Sequence, residues 1–216
     1  MPTETDFDYL STEHRLKMID SSRRLEFEFG GYFDESTINR FLRTSYDDFA
    51  ERAGNEVYAP TFAERFAKAR LRALVAMDAK NAGSEPIVMF VSEHNSSRSQ
   101  MATGYFRSMV GDRAVTWSGG LEPDVVLQPE VVAAMAEDGV DISASLPKPW
   151  NNEIIRAADV VVTLGCADLV PVYAGRRYID WEIPDPGTDD DVRLRQVRED
   201  IKERVRALVA ELQLGE

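Results

Sequence analysis

The sequence predicts an α/β protein: a four-stranded parallel sheet flanked by helices, preceded by a small all-α bundle of three helices. Three observations lead there. Up to residue 79 the apolar residues recur at helical spacing, whereas from residue 87 onward short β-branched runs alternate with helical segments. Between the two patterns lies "AKNAGSEP", residues 79–86, where Gly, Ser and Pro cluster. This seam divides the chain into an expected helical domain, 1–82, and an expected α/β domain, 83–216.

The helices of the first part follow in order. Residues from Thr12 to Phe29 make the first, ended by Gly30-Gly31. In "STINRFLRTSYDDFAERA" the residues Ile38, Phe41, Leu42, Tyr46 and Phe49 fall on one stripe of an amphipathic helix, with Asp34 as its N-cap. A third begins at "PTFAERF", where Thr61 and Glu64 have capping-box spacing, and runs through Phe66, Ala69, Leu74 and Met77. A bundle of about 80 residues buries little surface, so it needs a partner to pack against. Periodicity leaves two open: the rest of its own chain, or a second copy.

After the seam, "IVMFV" (87–91) reads as a buried strand, "SQMATGYFRSMVG" as a helix and "AVTWS" (114–118) as a second strand. "PEVVAAMAEDG" is a helix ended by Gly139, "DVVVTL" (159–164) a third strand and "RRYIDW" (176–181) a fourth. The closing "VRLRQVREDIKERVRALVAEL" is a long helix with Val192, Val197, Ile201, Val205, Leu208 and Leu212 on its apolar face. Alternation of this kind makes a parallel sheet with helices on both faces, and such sheets bind ligands beyond the C-terminal ends of their strands.

Composition narrows the partners. The chain holds 25 Lys and Arg against 38 Asp and Glu, a net charge of −13 over 216 residues. That balance argues against nucleic acid and anionic membranes as partners, but a local Arg and backbone amides can still hold a small anion. The single cysteine, Cys166, excludes an internal disulfide and a cysteine-only metal site. No apolar run approaches the roughly 18 residues of a membrane span, and "MPTETDFDYL" lacks a signal-peptide pattern, so the expected location is the cytoplasm. The acidic stretch "DWEIPDPGTDDD" lacks the spacing of a calcium loop and is expected to be solvated, with no metal site and no cofactor. Lys148 in "PKPW" is expected to be solvent-exposed.

The candidate site is "SEHNSSRS", residues 92–99, which follows the first strand and opens the first helix of the α/β domain. A strand-to-helix turn can gather backbone N–H groups around one point, and the helix N-terminus adds partial positive charge. Asn95 suits a left-handed backbone position, and Ser96 and Ser97 are small enough for close approach of a ligand. Arg98 offers a planar fork for two oxygens of a tetrahedral oxyanion.

This pattern resembles the C-x5-R-[ST] phosphate loop of the low-molecular-weight protein tyrosine phosphatases and the related arsenate reductases. "FVSEHNSSRSQMATGYF", "WSGGLEP", "DGVDISASLPKPW" and "AADVVVTLGCADLVPVYAGRRYIDWEIPDP" are similar to successive segments of the actinobacterial-type arsenate reductases. Residues 1–80 resemble the N-terminal bundle that some of them carry, where it is associated with dimerisation. The resemblance implies a phosphatase-like four-stranded sheet, a homodimer through residues 1–82, and phosphate, arsenate or a similar oxyanion as ligand. It also implies roles. Ser92 stands at the nucleophile position, and Glu93, His94, Asn95, Ser96, Ser97 and Arg98 form the oxyanion loop. Ser99 bonds the nucleophile, Asp185 is the general acid, and Cys166 occupies the first redox-relay position.

The departures from the family concern reactive atoms. A cysteine thiol, with a pKa of about 8.5, can be lowered to a thiolate by loop amides, whereas a serine hydroxyl stays protonated unless a base takes its proton. Neither Glu93 nor His94 can be assumed to reach Ser92. The second relay position holds Val170, and a chain with one thiol cannot close a disulfide relay. Two readings of Ser92 follow: natural divergence to an oxyanion-binding protein without thiol chemistry, or a Cys-to-Ser variant of an active reductase or phosphatase that uses an external thiol reductant. Glu93, an anion beside an oxyanion loop, and Val170 favour divergence. A third reading makes the chain a dimeric interaction protein acting through its helical N-terminus.

Overall fold

The computed structural model describes residues 4–50, 56–79, 85–187 and 190–215. The chain divides into two compact units, Met1–Ala82 and Gly83–Glu216. Residues 80–84 of the predicted seam lie outside the described residues.

The first unit contains α1 (Thr12–Phe29), α2 (Glu35–Ala50) and α3 (Ala59–Ala79). Ser11 Oγ accepts the amide of His14 to open α1, and Gly30 closes it. Asp34 Oδ1 accepts the Thr37 amide at 2.7 Å, which makes it the N-cap that the sequence predicts for α2. All five apolar residues of the α2 stripe are buried. Phe49 meets Phe66 of α3 edge to face at 5.8 Å. Helix α3 differs from expectation at its start and along its face. It begins at Ala59, so Thr61 is already inside the first turn, and Glu64 reaches back to Arg24 and Ser21 of α1 rather than to a cap. Pro60 tolerates this start because a first-turn residue needs no amide hydrogen. Ala59, Ala63, Phe66, Ala67 and Leu71 form its buried face, while Ala69, Leu74 and Met77 are half-buried at its margin.

The second unit runs β1 (Ile87–Ser92), α4 (Arg98–Val110), β2 (Val115–Gly120), α5 (Pro129–Glu137), α6 (Asn152–Ala157), β3 (Val160–Leu164), β4 (Arg177–Trp181) and α7 (Asp191–Glu211). The four strands form one sheet in the order β2-β1-β3-β4, all parallel. β1 is central and buried along its whole length, which is why it reads as an unbroken apolar run. The ladder pairs Ser92 with Gly120, so both strands extend past the predicted ends at 91 and 118. Their last residues are poor strand formers, but ladder hydrogen bonds from the neighbouring strand override that preference. At the opposite end Asp159 stays outside β3 and its carboxylate accepts the Ile87 amide at 2.9 Å. The six-residue α6 escapes prediction because it is too short to show a period; Asn151 caps it through the Ile154 amide.

The core of this unit joins Val88, Phe90, Val160 and Val162 of the sheet to Met101, Tyr105 and Phe106 of α4 and to α7. The Phe90 ring lies 5.7 Å from Phe106 and 5.8 Å from Trp181. Helix α7 inserts Leu194, Val197, Ile201, Val205 and Leu208. Val192 was expected on this face, but it is 65% exposed. Asp190 caps the helix at Arg193, which puts Val192 in the first turn on the outward side, and Leu194 takes its place in the core.

Truncating Ile201, which is fully buried, to Ala should cost about 3 kcal/mol in urea unfolding. The same change at Val192 should stay within about 0.5 kcal/mol.

Candidate functional site

Ser92 ends β1 and Arg98 begins α4, so the five residues between them form the whole strand-to-helix turn. Asn95 takes a left-handed backbone conformation, φ 48°, which its short polar side chain tolerates. That side chain ties the loop together. Asn95 Nδ2 donates to Ser99 Oγ at 2.8 Å, while Oδ1 accepts from the Lys148 amide at 3.0 Å and from Gln100 Nε2 at 3.1 Å. Ser92 Oγ lies 2.7 Å from Ser99 Oγ and accepts the Asn95 amide at 3.3 Å. One hydroxyl and one amide therefore fix the position of the Ser92 oxygen.

The turn is also held from outside. The amides of Glu122, Asp124 and Gln128 donate to the carbonyls of Glu93, His94 and Ser96, and Ser96 Oγ donates to the Asp124 carboxylate. Gly120 permits this approach: a Cβ there would come within 2.9 Å of both Asn95 Cβ and the Glu93 carbonyl.

Arg98 is buried, its side chain only 7% exposed. A buried guanidinium needs partners on every N–H. Nη1 donates to the Ile183 carbonyl at 3.0 Å and Nη2 to Asp185 Oδ2 at 2.8 Å, both from the segment after β4. Gly165, just after β3, has φ 76°, and a Cβ on it would sit 3.0 Å from Nη1. The ends of β1, β3 and β4 thus converge on one cation. Two polar atoms of the turn remain unpartnered although buried: Arg98 Nε and Ser97 Oγ.

The remaining expected residues fall around this point. His94 is half-exposed; its Nδ1 donates to the Glu122 carbonyl at 3.0 Å and not to Ser92. That bond, with the carboxylates of Asp124, Glu93 and Asp185 nearby, raises its pKa. Neither His94 nor Glu93 figures among the partners of Ser92 Oγ, which are Ser99 and Asn95. Cys166 is buried with its thiol directed to the Val91 carbonyl at 3.5 Å, and burial pushes its pKa upward. Val170, at the second relay position, is buried as well. Asp185 is 47% exposed and holds the rim. Among the described residues no group of three or more His, Cys, Asp or Glu is placed to hold a metal ion.

Lys148 corrects an expectation. It is half-buried rather than exposed, its amide holds Asn95, and its ammonium donates to Ser118 Oγ at 2.9 Å. Burial, followed by repulsion from Arg107, draws its pKa down to about 8. Sequence reasoning also missed Asp124, Ile183, Gly120 and Gly165 as parts of the site. The two glycines carried a legible signal, since each stands at the end of a predicted strand pattern.

A family model described as low molecular weight phosphotyrosine protein phosphatase matches residues 87–215. A second, described as protein-tyrosine-phosphatase-like, N-terminal domain, matches residues 20–75. The chain is 38% identical over 128 residues to the glutaredoxin arsenate reductase of Synechocystis sp., covering 58% of this chain and 97% of that one. Its structure is similar to that of the thioredoxin-dependent arsenate reductase of Corynebacterium glutamicum, with 36% identity and a TM-score of 0.83 over 93% of this chain and 98% of that one. A structure described as an arsenate reductase in the phosphate binding state aligns at 36% identity and a TM-score of 0.53, covering 58% of this chain and 98% of that one. The chain therefore belongs to the arsenate reductase and low molecular weight phosphotyrosine protein phosphatase family.

Proposed function

We propose that this protein binds a tetrahedral oxyanion, phosphate or arsenate, in the 92–99 loop, and that it lacks the thiol chemistry of its relatives. The observation that carries this is the pair of buried, unpartnered polar atoms, Ser97 Oγ and Arg98 Nε, in a turn where the side chains of Ser92, Asn95, Ser96 and Ser99 are all bonded. Buried polar atoms are rarely left without a partner, and an anion would supply both. The phosphate binding described for a related arsenate reductase supports the same ligand class.

The loss of chemistry rests on Ser92. Its hydroxyl meets Ser99 and an amide, neither of which is a base, so a nucleophilic alkoxide has no route to form. Arsenate reduction needs two electrons, which relatives with an internal relay draw from thiols. With Val170 at the second relay position and Cys166 buried and held protonated, no internal disulfide can form. Bound oxyanion would be held by the loop amides and Arg98, with Asp185 beside it and no covalent step. The reading invokes no cofactor, nucleic acid or membrane. In keeping with the two compact units, residues 83–216 would bind the anion and residues 1–82 would join two copies into a homodimer; the expected mass by light scattering is twice 24.3 kDa.

A second reading has one observation in its favour. The hydroxyl and amide that surround Ser92 Oγ would equally stabilise a thiolate in its place. Under this reading Ser92 is a Cys-to-Ser form of an enzyme that works with an external thiol.

Titration calorimetry with phosphate, arsenate and sulfate tests the first reading. Wild type should bind at least one, and Arg98→Lys and Arg98→Ala should each weaken binding about 10- to 100-fold, the loss of one or two charge-assisted bonds. Undetectable binding of all three anions by folded wild type would sink it. Ser92→Cys separates the two readings: p-nitrophenyl phosphate hydrolysis or thiol-dependent arsenate reduction by the variant supports the second, and an inert, folded variant supports divergence. Cys166 should react with iodoacetamide at neutral pH at least about ten times more slowly than free cysteine, because little thiolate is present.

A further inference from the structure

Helix α1 turns an uncovered apolar stripe to solvent. Its buried residues, Met18, Ser21, Ser22, Leu25 and Phe29, face α2 and α3 of the helical unit. At about 3.6 residues per turn, the stripe on the opposite side runs Leu16, Asp20, Arg23 and Phe27. Phe27 is 95% exposed and Leu16 58%, and the side chains of Asp20 and Arg23 between them are 60% and 57% exposed. A concavity of about 410 Å³ opens beside Phe27, lined by Arg23, Arg24 and Glu28. A single exposed leucine needs no explanation. A phenylalanine left bare on the mid-line of a helix, with a second apolar side chain about three turns away on the same stripe, is a surface that lacks its cover.

The order of residues along the stripe identifies that cover. It reads apolar, acidic, basic, apolar, and its steps along the chain are symmetric about the point between Asp20 and Arg23. Turned end for end about that point, the pattern lays apolar on apolar and acid on base. A two-fold axis does this to a second copy, since an isologous contact sets residue i on j and j on i. Leu16 and Phe27 are separated by about 16 Å along the helix axis, so both ends of the stripe meet in the same register. A surface meant for an unlike partner is under no such symmetry.

Resting on the homodimer reading above, we propose that α1 pairs antiparallel with α1 of a second copy of this chain, Leu16 of each packing on Phe27 of the other and Asp20 of each facing Arg23 of the other. The concavity beside Phe27 receives the leucine. Asp20 and Arg23 already lie 3.2 Å apart within one helix, an exposed pair that contributes little by itself. Across the two-fold axis the four charges alternate, and the apolar contacts at either end shield them from water.

Sedimentation velocity of the full-length protein over a series of concentrations tests this, with circular dichroism to show that each variant is folded. Wild type should sediment as a dimer. Phe27→Asp should weaken dimerisation at least about 100-fold, because an aromatic anchor is lost at both ends of the contact. Asp20→Arg and Arg23→Asp should each weaken it about tenfold by setting like charges across the axis, and the double variant should return to within about threefold of wild type. A dimer of undiminished affinity in Phe27→Asp overturns the proposal and leaves the homodimer reading to another face of residues 1–82. Wild type that stays monomeric at every concentration overturns both. Single charge variants as tight as wild type, or a double variant no tighter than the singles, overturn the antiparallel pairing.

Discussion

Arg98 carries a full positive charge into a place where its side chain is 7% exposed, and the α/β unit is arranged around making that tolerable. Its partners, the Ile183 carbonyl and Asp185, come from the segment that follows β4, a strand two positions away in the sheet, and the turn after β3 has to be a glycine to let the guanidinium pass. The parallel order β2-β1-β3-β4 is what brings these ends to the same side. The apolar faces of the sheet and helices serve this constraint indirectly, since packing of Phe90 between Phe106 and Trp181 fixes β1 relative to α4 and β4.

Asn95 is the second organising residue. It combines a positive φ with bonds from one side chain to Ser99, Gln100 and the Lys148 backbone. A loop held this firmly pays little entropy when an anion arrives. The Ser92 oxygen is positioned by the same network, so the proposed binding would not depend on which atom stands at the first position of the loop. This is why the binding and the chemistry can be separated. The proposed binding would draw on the loop amides and Arg98, while attack on phosphorus or arsenic would depend on the ionisation of one atom. Oxygen in place of sulfur at this position would alter that ionisation.

The helical unit has its own logic. Its core is aromatic, with Phe41, Phe49 and Phe66, and its polar interior is paired, as in Ser22 to Asn39 at 2.5 Å. In the α/β unit the corresponding charged pair is Asp185 on Arg98 Nη2 at 2.8 Å.

The order and type of the main elements were legible in the sequence because they depend on local periodicity and caps. α1, α2 with Asp34 and the four strands follow from side chains within a few residues of each other. The loop was legible for the same reason, since a strand-to-helix turn with Asn95 and Arg98 is a contiguous pattern. Helix faces at the ends of α3 and α7 were not, because which side of a terminal turn meets the core depends on the cap and on the partner helix. Nor was the burial of Lys148, which depends on Asn95 and Ser118, each at least thirty residues away in the chain. The same limit applied to Ile183, Asp124 and Gly165. The sequence by itself determined which atoms are available: a guanidinium, a hydroxyl where a thiol would be reactive, and one other thiol. Only the tertiary structure decided which of them meet, because contacts between residues 85 and 87 positions apart are made by chain topology and not by neighbouring side chains.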